Sequence, residues 1–150
     1  MVKFISTLKE LRNKIVEEIK NKTKKAYELI KSGDFALAFQ ELQKAYEMDA
    51  NNTYVLVGLG EVLRKQKKFF ESLDYYLKAF KIDPENRFAM LGLGDAYRGL
   101  KEREKSLDIW RQYLFLNPLD YSITTRVADA YKQLGNEKQA EVYYLKAIEI

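Results

Sequence analysis

Hydrophobic residues in this chain recur every three or four positions and do not alternate regularly with polar ones. A spacing near 3.6 residues marks one face of an α-helix, whereas a half-buried strand alternates apolar and polar positions. Two neighbouring stretches have the helical spacing, with apolar residues at Tyr54, Val57, Leu59, Val62 and Leu63, and then at Phe69, Leu73, Tyr76, Ala79 and Phe80. The pattern predicts two amphipathic helices joined by a tight turn.

The helix pair recurs at a period of 34 residues. Eight positions return in the same order: Leu56, Leu59, Gly60, Leu63, Ser72, Tyr76, Ala79 and Pro84 correspond to Met90, Leu93, Gly94, Tyr97, Ser106, Trp110, Tyr113 and Pro118. A fixed period of this length indicates stacked copies of one unit, which bury a continuous core together. We expect the small residues to lie where helices approach closely, and the aromatic residues Tyr76, Trp110 and Tyr144 to fill the core.

The period divides most of the chain into four units. Their predicted ranges are 19–52, 53–86, 87–120 and 121–150. The first unit matches the pattern less well, because it has Lys22 and Lys25 where the interior units have apolar residues. Residues 1–18 precede the array as an amphipathic N-terminal helix, which either continues into the first unit or breaks near Asn21. Its predicted apolar face consists of Phe4, Leu8, Leu11, Ile15 and Ile19.

Polar residues at the unit boundaries predict where helices begin. Asp49, Asp83 and Asn117 recur at the same period, and side chains of these types accept hydrogen bonds from free N–H groups at a helix start. Pro84 and Pro118 follow directly, which suits the first helical position because a missing N–H costs nothing there. We therefore predict that Asp49, Asp83 and Asn117 are helix N-caps.

Two glycines predict the turn inside a unit. Gly33 is followed by Asp34, and Gly135 is followed by Asn136. Glycine commonly ends a helix in a left-handed conformation, and Asp or Asn commonly starts the next one. Each pair therefore predicts a helix end followed directly by a helix start.

Period, residue order and boundary chemistry together resemble the tetratricopeptide repeat over about residues 19–150. The resemblance implies an all-α, right-handed α-solenoid of about 3.5–4 helix-turn-helix hairpins. It further implies a non-catalytic scaffold or adaptor that binds a partner peptide or helix in the concave groove lined by the first helix of each unit. The sequence departs from the family pattern where its first aromatic is expected, at Lys22, Leu56, Met90 and Thr124, and again at Leu63.

Composition removes several classes of chemistry. The chain has no Cys and no His, which excludes disulfides, thiol catalysis, Ser-His-Asp sites and the usual zinc sites. No nucleophile and base pair can be proposed, so we expect no enzymatic activity, no cofactor and no metal site. No apolar run approaches the ~18 residues of a membrane span, and no secretory signal is visible. A cytoplasmic location is therefore expected.

The register of the repeat predicts the residues that line the concave groove. They are Tyr54, Val57, Gly58, Glu61, Arg64, Phe88, Leu91, Gly92, Asp95, Arg98, Arg126, Asp129 and Lys132. Apolar side chains recur beside a glycine, which predicts an apolar hollow for a partner, although packing between first helices is the competing interpretation. Glycine inside a helix costs about 1 kcal/mol relative to Ala, so Gly58 and Gly92 are predicted to admit a ligand closely.

Charges on the first helices repeat three residues apart. The pairs are Glu61/Arg64, Asp95/Arg98 and Asp129/Lys132. Ordinary pairing along a helix surface, worth roughly 0.2–0.5 kcal/mol, is the favoured interpretation. The alternative is a ladder of donors and acceptors for a bound peptide.

One variant of the family clamps the carboxylate of a partner's C-terminus with Lys, Asn and Arg side chains from three successive units. With unit 1 as the first of the three, the corresponding positions are Thr23, Tyr27, Gly58, Phe88 and Gly92; with unit 2 they are Val57, Glu61, Gly92, Ser122 and Arg126. Only Arg126 matches. We therefore expect a binding mode other than the carboxylate clamp.

A basic segment supports an alternative function. The net charge of the chain is +4, and residues 1–25 carry the whole positive excess. Four lysines cluster there, at Lys20, Lys22, Lys24 and Lys25. The alternative hypothesis is an electrostatic binder of RNA or an anionic membrane, whereas a solvated helix face is the favoured interpretation of these lysines. The principal hypothesis expects a protein partner and neither nucleic acid nor membrane.

The last predicted helix carries apolar residues on its outer side. Tyr144, Ala147 and Ile148 are expected to face whatever follows in the stack. Repeat arrays need a polar end for solubility. The sequence therefore predicts further repeats or self-association at this end.

Overall fold

The computed structural model describes all 150 residues, and every regular element in it is an α-helix. The eight helices are α1 (Val2–Ser32), α2 (Phe35–Met48), α3 (Thr53–Lys65), α4 (Phe69–Ile82), α5 (Arg87–Gly99), α6 (Arg103–Leu116), α7 (Tyr121–Gln133) and α8 (Glu137–Glu149). Consecutive helices form the hairpins α1–α2, α3–α4, α5–α6 and α7–α8. The predicted all-α solenoid is confirmed.

The hairpins stack through their first helices and through the second helix of each preceding hairpin. α1 packs beside α3 and α3 packs beside α5, while α2, α4 and α6 contact α3, α5 and α7 in turn. The stack loosens at its far end, because no Cα atom of α7 comes within 8 Å of one in α5. α7 is instead held mainly by α6 and by its own partner α8.

Large aromatic side chains fill the core at the period of the repeat. Tyr76 and Trp110 are wholly buried, as the sequence predicts. A Cβ atom on Gly60 would lie 2.8 Å from the Tyr76 ring, and one on Gly94 would overlap the Trp110 ring. The small residues therefore sit where a ring from the second helix presses against the first helix. Tyr144, the third predicted core aromatic, is only half-buried.

The N-terminal helix continues without a break into the first unit. Ile19, Thr23 and Ala26 are the buried residues of α1, and they lie in its second half. Residues 2–18, which include most of the predicted apolar face, extend past the end of α2. At a rise of 1.5 Å per residue this segment is about 25 Å long. Phe4, for example, is 66% exposed. A boundary between residues 18 and 19 therefore falls within one helix.

The helix starts lie three residues after the predicted N-caps. Asp83 ends α4, and Asn86 is the N-cap of α5, where its side chain accepts from the Ala89 N–H at 3.0 Å. Asp49, Asp83 and Asn117 are thus C-caps, and the N-caps of α3, α5 and α7 are Asn52, Asn86 and Asp120. Pro84 and Pro118 lie in the connecting turns and not in a helix.

The turns inside the units share one left-handed position. Gly33 and Gly135 have φ of 83° and 80°, and Asp34 and Asn136 cap the helices that follow, as predicted. The same position in the two interior units is occupied by lysine, with φ of 61° at Lys67 and 62° at Lys101. The four equivalent turns therefore share one left-handed position, which is glycine in the two outer units and lysine in the two interior units.

The outer side of α8 is only partly apolar and exposed. Ile148 is 79% exposed, whereas Ala147 is buried inside the last hairpin. The expectation that Ala147 faces a following element is therefore wrong, because its small side chain packs against its own unit.

Candidate protein-binding groove

A cavity of about 790 Å³ lies on the side of the stack formed by the first helices. It is lined by Tyr27, Ile30, Lys31, Thr53, Tyr54, Val57, Glu61, Arg64, Asn86, Arg87, Phe88, Leu91, Gly92 and Asp95. The side chains come from α1, α3 and α5, which lie next to one another. Eight of the predicted groove residues meet in this one hollow, which we call the concave groove.

Two aromatic rings stand exposed at the rim of the groove. Tyr54 is 71% exposed and Phe88 is 59% exposed, and each lies in the first turn of its helix. Val57 and Leu91, which are one turn further along α3 and α5, are buried and half-buried. Exposed rings above buried aliphatic side chains give the groove an apolar wall that nothing in the chain covers.

The first hairpin also contributes to this wall. The Tyr27 hydroxyl donates to the Tyr54 carbonyl at 3.1 Å, which ties α1 to α3. Burial, followed by the charge of Glu61, raises the pKa of Tyr27. Sequence reasoning missed Tyr27 and Ile30, although a shift of one period back from Glu61 and Arg64 leads directly to them.

The two groove glycines make room for the chain itself. A Cβ atom at residue 58 would lie 2.8 Å from a Leu42 methyl group, and one at residue 92 would overlap the Tyr76 ring. The predicted reason for Gly58 and Gly92 is therefore wrong, because the space beside them is filled by Leu42 and Tyr76 and not left for a ligand. Gly58 lies outside the groove lining, and Gly92 contributes only its backbone to it.

Charged side chains form a ladder across three first helices. Glu61 accepts from Arg64 at 2.8 Å, Arg64 lies 3.9 Å from Asp95, and Asp95 accepts from Arg126 of α7. The Tyr76 hydroxyl donates to Glu61 at 3.3 Å. Burial and the charge of Glu61 raise the pKa of Tyr76. These groups satisfy one another and position α3, α5 and α7.

Two of the three predicted charge pairs do not form. Asp95 binds Arg64 and Arg126 and forms no ion pair with Arg98. Asp129 accepts from the Tyr144 hydroxyl and does not pair with Lys132. Only Glu61 and Arg64 pair within one helix as predicted. Arg98, Arg126, Asp129 and Lys132 lie outside the lining of the concave groove.

The basic segment is partly neutralised by the rest of the chain. Lys22 lies 3.9 Å from both Glu18 and Glu41, and Lys25 lies 3.7 Å from Glu41. Lys20 and Lys24 are exposed and form no ion pair. The uncompensated charge of the predicted basic patch is therefore about half of what the sequence suggests.

None of the helices combines the length and the hydropathy that a membrane-crossing segment requires. No three Asp or Glu side chains come together in a way that would hold a metal ion.

Comparison with known proteins finds the family of the repeat. Models described as tetratricopeptide repeat match residues 19–52, 53–86 and 123–150, which together make up nearly two-thirds of the chain. A search of curated protein sequences finds no match.

Solved structures share the fold. A crystal structure of MamA has a TM-score of 0.83 at 19% identity over 87% of this chain and 77% of its own. MamA from Desulfovibrio magneticus RS-1 has a TM-score of 0.81 at 21% identity over 87% of this chain and 74% of its own. A tetratricopeptide repeat protein from Parabacteroides merdae reaches 0.80 at 26% identity, over 89% of this chain and 53% of its own. The resemblance inferred from the 34-residue period is thus confirmed, and the chain belongs to the tetratricopeptide repeat family.

Proposed function

We propose that the chain is a non-catalytic scaffold whose concave groove captures a segment of a partner protein through apolar anchor residues. The family supports a protein-interaction role in general. The observation that carries the finer proposal is the pair of exposed rings, Tyr54 and Phe88, above the aliphatic floor of Val57 and Leu91. Aromatic side chains that stand over a pocket commonly dominate binding free energy.

The free charges at the rim favour acidic side chains on the partner. Lys31 and Arg87 line the groove and form no ion pair, whereas Glu61, Arg64 and Asp95 already bind one another. Arg87 also stacks near the Phe88 ring, with 5.5 Å between the guanidinium carbon and the ring centroid. A partner segment with apolar anchors and flanking Asp or Glu would complement both features of the groove.

The proposal keeps the prediction that binding does not use a carboxylate clamp. The positions that would hold such a clamp include Gly58, which packs on Leu42, and Phe88, which has no charge to offer. Recognition then depends on the middle of a partner segment and does not require its free C-terminus.

A displayed library of random peptides, selected on the unmodified chain, supplies a ligand for the test. The affinity of a selected peptide is then measured by fluorescence anisotropy for the Phe88→Ala variant and for the Phe70→Ala variant. Phe70 is the matched control because it is 73% exposed on α4 and lies outside the groove. We expect Phe88→Ala to weaken binding about tenfold or more, which is at least about 1.4 kcal/mol, and Phe70→Ala to leave it unchanged. Equal affinity for the two variants would contradict the assignment of the groove.

A further inference from the structure

A second, smaller cavity lies beyond the end of the concave groove, where α7 has moved away from α5. Its volume is about 100 Å³, roughly the share of three water molecules in the liquid. Three arginines line it: Arg98 near the end of α5, Arg103 at the start of α6 and Arg126 in the middle of α7. A small cavity with three guanidinium groups is unusual in a chain whose repeats are otherwise nearly neutral.

Two of the three guanidinium groups have no ionic partner. Arg126 binds Asp95, but the guanidinium group of Arg98, an exposed residue, forms neither a hydrogen bond nor an ion pair. Arg103 donates only to the amide oxygen of Gln133, at 2.8 Å. Asp129 is the acidic side chain in the lining, and it already accepts from the Tyr144 hydroxyl. Among the residues that line the cavity, three arginines thus stand against the single carboxylate of Asp129.

A buried donor without a partner belongs to one of the residues that line the same cavity. Trp110 lines the cavity and is 1% exposed, and its indole Nε1–H is the one buried side-chain polar atom of the chain without a hydrogen-bond partner. Buried N–H groups are nearly always paired. A bound oxygen acceptor would pair with this one after a small local shift, because the Nε1 atom has no exposed surface of its own.

The first turn of α6 adds backbone donors on the same side. Arg103 and Ser106 belong to this turn, and the N-cap residue Glu102 makes no side-chain cap hydrogen bond. The free N–H groups and the dipole at a helix start favour an anion, whereas the carboxylates of Glu102 and Glu104 at this start act against one. The Ser106 hydroxyl donates to the Gly94 carbonyl at 3.0 Å and so fixes α6 against α5 next to the arginines.

We propose that this cavity between α5, α6 and α7 is a binding site for an oxyanion of the phosphate class. Guanidinium groups bind phosphate oxygens through paired N–H donors, and the guanidinium groups of Arg98 and Arg103 have no ionic partner. The phosphate is either a free ion or part of a phosphorylated side chain. The inference is independent of the proposed function, because none of its arguments uses the apolar wall of the groove.

The sole tryptophan of the chain makes the site directly observable. Because Trp110 is the only tryptophan, the ¹H–¹⁵N spectrum of the full chain contains a single indole N–H resonance. Inorganic phosphate, N-acetyl phosphoserine amide and acetate are titrated in turn at constant ionic strength. We expect phosphate to move this resonance saturably and acetate to move it at least tenfold less effectively at equal concentration. Tighter saturation by the phosphoserine compound assigns the site to a phosphorylated side chain, and saturation by phosphate alone assigns it to the free ion.

Charge-neutral variants separate a site from general screening. Arg98→Gln combined with Arg103→Gln should weaken phosphate binding at least tenfold. Lys105→Gln, which removes one positive charge from α6 outside the cavity lining, should leave the affinity unchanged. Backbone resonances outside the cavity confirm that each variant is folded. An indole resonance that does not saturate with phosphate, or that saturates equally in the double arginine variant or with acetate, would overturn the proposal.

Discussion

Replacing Lys67 and Lys101 by glycine should stabilise the chain, although both changes remove a side chain. Both lysines have a positive φ, at 61° and 62°, in turns where the outer units have Gly33 and Gly135. Both are exposed and form no side-chain hydrogen bond, ion pair or cation–π contact. Glycine therefore removes backbone strain at these positions and costs no folded-state contact.

The size of the effect follows from two opposing free energies. A residue with a Cβ atom pays about 1–2 kcal/mol in the left-handed conformation. Glycine avoids this cost but leaves the unfolded chain more conformational freedom, which offsets about 0.5–1 kcal/mol. The difference lies between about 0 and 1.5 kcal/mol for each turn, and its middle, about 0.7 kcal/mol, is a stabilisation. For a chain of this size, the double variant should melt roughly 3–5 °C higher.

Urea unfolding followed by circular dichroism measures the difference. Lys24→Gly is the matched control, because Lys24 is exposed and unpaired but lies inside α1. Glycine in a helix interior costs roughly 0.7 kcal/mol relative to lysine, so the same substitution should have the opposite sign there. Gly135→Lys should also destabilise, since a Cβ atom at Gly135 meets nothing within 4 Å and only the backbone is strained. Equal destabilisation of all three lysine variants would refute the reasoning.

Three other substitutions test the interior of the stack. Gly92→Ala should destabilise by roughly 1–3 kcal/mol in urea unfolding, despite the better helix propensity of Ala, because its Cβ atom overlaps the Tyr76 ring. Asp95→Asn should cost roughly 1–3 kcal/mol, since it leaves Arg126 partly buried without its only carboxylate and leaves Arg64 with Glu61 alone; Glu85→Gln, at an exposed residue without an ion pair, is its control. The raised pKa of Tyr27 and of Tyr76 means that stability is fully present below the tyrosine pKa of the unfolded chain, near 10, and falls as pH rises above it. The slope of unfolding free energy against pH above 10 should therefore become shallower in a Tyr27→Phe variant, and an unchanged slope would contradict this assignment.

The repeat period predicted the architecture because packing imposes it residue by residue. Gly60 and Gly94 are small because the rings of Tyr76 and Trp110 press against them, and this need returns with every hairpin. The period could not identify helix starts, since Asp83 and Asn86 both recur at 34 residues and only their backbone conformations distinguish a C-cap from an N-cap. The starts of α3, α5 and α7 were thus predicted three residues too early.

The sequence predicted many of the residues that line the groove, but it did not predict which side chains contact one another there. The period brought Tyr54 and Phe88 to the same rim because equivalent residues of stacked helices lie side by side. The period could not reveal that Asp95 pairs with Arg64 and Arg126 and not with Arg98. A partner three residues away on the same helix competes with partners on neighbouring helices, and the sequence does not show which of them lies closer. Such a choice depends on how closely the helices approach.

The ladder of charges explains why the anion site occurs at only one place in a repeated structure. Arg64 pairs with Asp95, which is 31 residues later on the next first helix, and the same relation would pair Arg98 with Asp129. That second pair does not form, and Asp129 instead accepts from the Tyr144 hydroxyl of its own hairpin. Arg126 instead reaches back to Asp95, so Arg98 is left without a partner beside the unpaired Trp110 donor. A local departure from the period thus ends the ladder and leaves guanidinium groups without ionic partners around the cavity. The wider gap between α5 and α7 gives an anion the space to reach them.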